Sequence, residues 1–248
     1  MTLPLDVDAL KVSADNGQLL LDIPSLRLAA GGSLGIRGPS GAGKSILLYA
    51  LSGLLERLEG SLCWGNTNLV GLSPARCAAF RERHVGMIFQ DFLLFEELDA
   101  LSNAGLSALF RPRSERAAIS ARAAEHLKRL GIKDGSRKVA SFSGGERQRV
   151  AVARALAVNP DILLADEPTA SLHRSAADRL SQDLVALAQD AGTSLIVVSH
   201  DEHLLSSLDR VLTIADGCPD GEPVTPERSA DDQATDNQAV DKKSADHA

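Results

Sequence analysis

Aromatic residues are scarce in this chain, at 3% of its 248 residues. Proteins that bind single-stranded nucleic acids stack the bases on aromatic side chains, so the shortage argues against that role. The chain also has no excess of basic residues, since its formal net charge is −7. Nucleic-acid binding relies on clustered Lys and Arg, and we therefore expect no nucleic acid among the partners of this protein.

Cysteines and long apolar runs are also few. The three cysteines, Cys63, Cys77 and Cys218, have no metal-ligand spacing and fit ordinary reduced residues. No run approaches the roughly 18 apolar residues that a membrane-spanning helix needs. The segment Met1–Asp6 lacks the basic-then-apolar pattern of a signal peptide. These features predict a protein that stays in the cytoplasm.

Acidic residues are concentrated at the C-terminal end. Residues 216–248 carry 9 of the 33 acidic residues but only 3 of the 26 basic ones. Residues 218–248 are polar and have no apolar period, which is typical of disordered segments. The composition predicts one folded domain over residues 1–217, followed by an acidic, disordered tail over residues 218–248.

Short apolar runs alternate with helical patterns through the folded part. Continuous apolar runs are typical of parallel strands covered on both faces, whereas alternating runs at 8–13 and 18–23 predict an antiparallel edge. In the 114–130 helix, Ser114 is a residue type that often caps helices. The side predicted to be buried consists of Ala117, Ala121, Ala124 and Leu127, which fall on one stripe. The expected fold class is α/β with a mostly parallel sheet: strands at 34–36, 85–89, 162–165, 195–198 and 211–214, and helices at 44–55, 75–82, 114–130, 144–158, 174–191 and 201–207.

A phosphate-binding loop follows the first of these apolar strands. The motif G-x-x-x-x-G-K-[ST] lets backbone N–H groups surround phosphates, while the lysine reaches the β- and γ-phosphates and the final hydroxyl ligates Mg²⁺. A strand before the loop and a helix after it supply the expected context. The sequence therefore predicts a P-loop NTPase core that binds a nucleotide and Mg²⁺ through Gly38, Pro39, Ser40, Gly41, Ala42, Gly43, Lys44 and Ser45.

Two carboxylates end the apolar run at 162–165. Asp166 is placed to hold Mg²⁺, together with Ser45, and Glu167 to polarise a water for attack on the γ-phosphate. Acids after an apolar run are also common at solvated strand ends, but a phosphate loop in the same chain favours catalysis. His200 ends another strand, where it can contact the γ-phosphate. Its spacing to His203 also fits a metal pair, although no third ligand accompanies them.

The segment Ser141–Arg149 opens a further predicted helix. Ser143-x-x-Glu146 is a capping box, which many ordinary helices have. Exposed N–H groups at a helix start also bind anions. Because the chain already has its own phosphate loop, the Ser143-Gly144-Gly145-Glu146 start indicates a second anion site, presented to the nucleotide of another copy.

Together these motifs resemble one family. The phosphate loop at 38–45, Ser143–Glu146, the strand ending in Glu167, and His200 occur in the order found in the nucleotide-binding subunit of ATP-binding cassette (ABC) transporters. The resemblance covers about residues 5–217.

The resemblance implies an architecture and an activity. Within the family, the segments 83–92 and 165–169 look most like the lipoprotein-release and macrolide-export group. A helical subdomain is expected at about 92–155, inserted into the ATPase domain. The family hydrolyses Mg-ATP to drive an integral membrane permease, so the resemblance implies a peripheral protein on the inner face of the cell membrane. It also implies a second ATPase protomer, most simply in a homodimer.

The resemblance also implies roles for single residues. Gln90 has the position of the family's Q-loop glutamine, which contacts the γ-phosphate and Mg²⁺ and links them to the permease. Ser143, with the N–H groups of Gly144 and Gly145, would face the γ-phosphate bound by the opposite protomer, and Glu146 completes that signature.

Two positions depart from the family. The family usually stacks adenine on an aromatic residue that precedes the phosphate loop, but the segment around Lys11–Asp15 has none. We expect this absence to affect selectivity for the base more than phosphate binding. His173 stands where the family has an aspartate that helps join the two protomers' sites. Histidine titrates near neutrality, so the coupling between the two ATP sites is expected to be weaker or pH-dependent. The alternative is that this position accepts different residues without an effect on coupling.

Two other interpretations compete with a transport ATPase. A soluble cassette ATPase of DNA repair or translation would carry a long coiled-coil insertion or two cassettes, whereas only 52 residues separate Gln90 from Ser143. A non-hydrolysing regulatory cassette would tolerate losses at the catalytic positions, but Lys44, Asp166 and Glu167 are all present.

Overall fold

A computed structural model describes residues 3–220. Within this range the chain forms strands and helices in alternation, as the sequence predicts. The strands are β1 (Leu5–Ser13), β2 (Leu19–Leu28), β3 (Ser33–Arg37), β4 (Leu58–Trp64), β5 (Thr67–Asn68), β6 (Val85–Ile88), β7 (Ile162–Asp166), β8 (Ser194–Val198), β9 (Arg210–Ala215) and β10 (Cys218–Pro219). The helices are α1 (Lys44–Leu51), α2 (Pro74–His84), α3 (Ala100–Ala104), α4 (Arg113–Arg129), α5 (Gly144–Ala157), α6 (Arg174–Ala191) and α7 (Glu202–Ser206), with short 3₁₀ turns at Leu106–Phe110 and Val139–Ser141.

The larger sheet has six strands in the order β10-β9-β3-β8-β7-β6, and only β10 runs antiparallel to its neighbour. Its central strands are buried on both faces. In β7, Leu163 and Ala165 pack into one hydrophobic cluster, while Ile162 and Leu164 pack into another on the opposite face. Double burial explains the continuous apolar runs, because neither face can accept polar residues. The mostly parallel α/β fold is confirmed.

The alternating N-terminal strands pair antiparallel, as predicted, but they belong to a separate sheet. This sheet has four strands in the order β2-β1-β4-β5. Strand β4 was missed because it is interrupted by polar residues and by Gly60, and it is recognisable only through its pairing with β1. Trp64 at its end is fully buried and donates its indole N–H to the carbonyl of Leu51 at 2.9 Å, which ties this sheet to α1.

Two details of the 114–130 helix are wrong in the sequence interpretation. The helix begins at Arg113 with Pro112 as its N-cap, so Ser114 lies inside the first turn and makes no cap. Its buried stripe consists of Ile119, Ala123 and Leu127. Ala117, Ala121 and Ala124 face solvent, because alanine favours helix on any face and does not mark which side packs.

Helices α3, α4 and α5 follow β6 and precede β7 along the chain. They pack against each other and on one face of the parallel sheet through the same hydrophobic cluster. Among the described residues, no helix has the length and hydropathy needed to cross a bilayer.

The folded chain continues past the expected boundary at residue 217, because Cys218–Pro219 pairs with β9. The rest of the predicted tail, from residue 221 onward, lies outside the described residues.

Gly86 is predicted to be essential for docking β6 against α5. A Cβ at Gly86 would lie 2.4 Å from the carbonyl oxygen of Ala155, which is backbone and cannot move aside. Gly86→Ala should therefore lower the free energy of unfolding by about 1–3 kcal/mol through overpacking, as measured by urea denaturation.

Gly135→Ala is the matched control for this change. A Cβ at Gly135 would meet only Leu101 and Leu127 side-chain atoms at 3.5 and 3.9 Å, which is ordinary contact. It should change stability by no more than about 0.5 kcal/mol. Equal stability of the two variants would contradict the steric account.

Candidate active site

The phosphate loop lies between β3 and α1, as the sequence predicts. Lys44 is buried and its Nζ donates to the carbonyl oxygens of Gly38 and Pro39 at 2.8 and 2.9 Å. Its ammonium group is therefore held across the mouth of the loop. Gly38 permits no side chain, since a Cβ there would lie 2.0 Å from the Ile214 carbonyl oxygen on β9.

Asp166 ends β7 directly beside this loop. The Ser45 hydroxyl and the Lys44 ammonium both lie close enough to act on its carboxylate. Burial raises the pKa of Asp166 above its ordinary value, against the lowering effect of Ser45 and Lys44. Buried carboxylate and hydroxyl oxygens that face each other are the ligands that Mg²⁺ takes in phosphate sites. The residues present therefore fit this ion.

Glu167 follows at a left-handed backbone position, with φ of 46°. Such a conformation in a residue other than glycine costs free energy and clusters at functional sites. The Glu167 N–H donates to the Val198 carbonyl at 2.9 Å, which fixes the residue against the end of β8. Burial raises the pKa of Glu167, and the nearby His200 only partly offsets the effect.

His200 approaches the Glu167 carboxylate through two atoms. Its Nε2 lies 3.4 Å from Oε1, and its backbone N–H donates to Oε2, also at 3.4 Å. The side chain of Glu167 is 14% exposed and that of His200 is 59% exposed. His203 instead faces Asp178, with Nδ1 3.9 Å from Oδ1. Among residues 3–220, no group of three or more His, Cys, Asp or Glu side chains is placed to hold a metal ion, so nothing there supports the alternative metal pair.

The phosphate loop, Asp166, Glu167 and His200 line one cavity of about 670 Å³. Gln90, which follows β6 and is exposed, also lines it, so the structure brings together the residues predicted for phosphate, metal and water. No Phe, Tyr or Trp occurs among the described residues that line the cavity. The cavity also contains residues that the sequence interpretation did not select, chiefly Thr169, Ala170, Leu172 and Arg174.

The backbone just after Gln90 is held by Arg154, a residue that the sequence analysis did not select. Phe92 and Leu93 both have positive φ, at 61° and 47°. The Arg154 guanidinium, on α5, donates to both of their carbonyl oxygens, at 2.6 Å for Phe92. Arg154 thus links the helix that begins with the signature to the strained segment beside Gln90.

The signature is the one predicted group that the structure does not bring to the cavity. Its capping box is confirmed: the Ser143 N–H donates to Glu146 Oε2 at 2.9 Å, and the Glu146 N–H donates to Ser143 Oγ at 3.3 Å. Ser143 and Gly144 are exposed. The helix start is therefore fully formed and faces solvent.

A strand–loop–helix phosphate site, with carboxylates at the end of another parallel strand of the same sheet, defines a P-loop ATPase. Comparison with known proteins identifies the family. The ABC transporter family model matches residues 21–170. The uncharacterized ABC transporter ATP-binding protein YbbA of Escherichia coli strain K12 is 38% identical over 218 residues, or 86% of this chain and 95% of that protein.

Other matches agree. The lipoprotein-releasing system ATP-binding protein LolD of Shewanella frigidimarina is 39% identical over 193 residues, or 77% of this chain and 80% of that protein. The ATP-binding cassette MJ0796, solved as a post-hydrolysis dimer bound to ADP and Pi, gives a TM-score of 0.79 at 31% identity, covering 90% of this chain and 100% of that chain. The chain belongs to the ABC transporter family and is one of its ATP-binding, ATP-hydrolysing subunits.

Glu167→Gln is predicted to stabilise the nucleotide-free protein above pH 7. Because burial raises the folded-state pKa of Glu167, the charged form costs stability at pH values above that pKa, and a neutral side chain avoids the cost. Thermal unfolding in EDTA should give a higher midpoint for the variant at pH 8. The difference should shrink as the pH falls through the raised pKa of Glu167, and it should vanish below the ordinary value of 4.5, where the wild-type carboxyl is neutral in both the folded and the unfolded protein. A variant less stable than wild type at pH 8 would show that the pairing with His200 outweighs burial.

Proposed function

We propose that two copies of this chain form a homodimer around two molecules of Mg-ATP and drive a membrane permease from the inner face of the cell membrane. Each nucleotide would lie between the phosphate loop of one copy and the Ser143–Glu146 signature of the other. The observation that carries this proposal is the separation of the two elements: a complete phosphate cavity, and a capped, exposed helix start that the same chain does not use.

The residues of the cavity are proposed to have different roles in hydrolysis, namely phosphate binding, proton transfer and positioning. Gly41 and Gly43 let the loop backbone surround the phosphates, and Lys44 places a positive charge beside them. Glu167 accepts a proton from water as that water attacks the γ-phosphate, since its raised pKa makes it a stronger base than an exposed carboxylate. His200 holds the Glu167 carboxylate in place and reaches the γ-phosphate.

Ser45, Asp166 and Gln90 are the residues proposed to hold Mg²⁺. When bound, the ion neutralises charge that develops on the phosphate oxygens. The Ser45 hydroxyl already lies beside the Asp166 carboxylate, so the two proposed ligands are close together before any ion arrives.

The named relatives support a place in transport. LolD is named for lipoprotein release, and the solved MJ0796 cassettes are dimers. On the present chain, the segment after Gln90 is the proposed contact with the permease. Arg154 would then transmit its movement to α5 and the signature.

Complementation between two inactive variants tests the shared site. Lys44→Ala disables the phosphate loop. Gly144→Asp adds a negative charge where a phosphate should approach, and the fold has room for it, because a Cβ at Gly144 meets nothing closer than the Ser171 carbonyl at 4.0 Å. Each variant alone should lose ATPase activity. A mixture should regain activity, because one site of each heterodimer combines an intact loop with an intact signature.

The control is a mixture of Lys44→Ala with a Lys44→Ala, Gly144→Asp double variant, which has no intact site in any pairing and should stay inactive. Full activity of Gly144→Asp alone would contradict the proposed role of the signature.

A further inference from the structure

Arg174 connects the two segments that carry Glu167 and His200. It is the first residue of α6 and follows the loop that leaves Glu167. Its Nη1 lies 3.0 Å from Oδ1 of Asp201, the residue directly after His200. Together with the Glu167–His200 contacts, this ion pair closes a ring of interactions: Glu167, the loop 168–173, Arg174, Asp201 and His200.

Asp201 is the more buried partner of this ion pair, and further hydrogen bonds hold it in place. Its side chain is 10% exposed, against 52% for Arg174. Its Oδ1 accepts from the His203 N–H at 3.0 Å and so caps α7, while its own N–H donates to the buried Ser199 hydroxyl at 3.0 Å. Burial tends to raise the pKa of Asp201, but the hydrogen bonds from Arg174 and His203 prevail and lower it.

Arg174 has a second partner that provides a comparison. Asp178 lies one turn along α6 and accepts from Arg174 Nε at 3.2 Å. Its side chain is 36% exposed, and it does not line the cavity. An exposed pair within one helix contributes little. The pairing with Asp201 joins two separate elements, so it constrains how they lie relative to each other.

We propose that Arg174 is a positioning residue for hydrolysis, which holds the Ser199–Asp201 turn so that His200 and Glu167 remain in contact. Because His200 meets Glu167 through its backbone N–H as well as its ring, a small rotation of this turn separates both contacts. Although Arg174 also lines the cavity, its proposed role is indirect and runs through Asp201. His173, in place of the family's aspartate, leaves the start of α6 without a side-chain cap, so this end of the loop depends more strongly on its neighbour Arg174.

The inference rests on the proposed roles of Glu167 and His200. It is tested by steady-state ATPase kinetics of Arg174→Ala, Asp201→Asn and their double variant. Asparagine caps helices as well as aspartate does, so Asp201→Asn removes the charge and keeps α7. Each single variant should lower kcat about tenfold and leave KM for ATP within about twofold, and the double variant should lose no more than either single one.

Asp178→Asn is the matched control, because it removes the other partner of Arg174 and should leave kcat within about twofold of wild type. Arg174→Lys keeps a charge opposite Asp201 and should recover part of the rate. If Arg174→Ala does not fold, Asp201→Asn and Arg174→Lys still measure the pairing.

Three results would overturn the inference: an unchanged kcat in Arg174→Ala or Asp201→Asn, an equal loss in Asp178→Asn, or losses that multiply in the double variant. Failure of the proposed function is distinguishable, because it would appear as turnover that survives Glu167→Gln. If Glu167→Gln is inactive and Arg174→Ala keeps full kcat, only the inference about Arg174 fails.

Discussion

The site depends on holding three charged side chains, Lys44, Asp166 and Glu167, at the buried edge of a parallel sheet. Burial raises the pKa of both carboxyl groups, so their charge is retained against a cost that the fold must offset. The sheet offsets it by filling both of its faces with apolar side chains and by bringing a hydroxyl, an ammonium and an imidazole to the carboxylates. Other features of the domain can be understood as supports for this edge.

Long-range contacts supply that support. The antiparallel sheet covers α1 through Trp64, and α1 begins with the lysine of the phosphate loop. From α5, Arg154 donates hydrogen bonds to the strained backbone after Gln90, and Arg174 connects the two segments that carry Glu167 and His200. In each case a side chain from one element anchors another element on which functional residues lie.

The sequence predicted the features whose signal is local. The phosphate loop, the strand ending in Asp166 and the Ser143 capping box each depend on neighbouring residues, and the structure has all three in place. The same reasoning failed where packing decides. Ser114 is a good capping residue, yet the N-cap is Pro112. The alanines chosen for the buried side of α4 face solvent because Ile119 and Leu127 determine its orientation.

Some functional contacts had no local signal. Arg174 and Asp201 are 27 residues apart, and nothing in either segment reveals their pairing. The position of the signature is the opposite case. Its motif was evident, and the structure adds that Ser143 and Gly144 are exposed and do not line the chain's own cavity, which fits the proposal that a second protomer uses them.

The central claim is that ATP closes two protomers on each other through this exposed signature. The most direct measurement is the molar mass of Glu167→Gln by light scattering, with and without Mg-ATP, since loss of the base should preserve the bound nucleotide. The account predicts a monomer without nucleotide, a dimer with Mg-ATP that contains two nucleotides, and no dimer when Gly144→Asp is added. A monomer that binds ATP at full occupancy, or a dimer that forms equally well with Gly144→Asp, would contradict it.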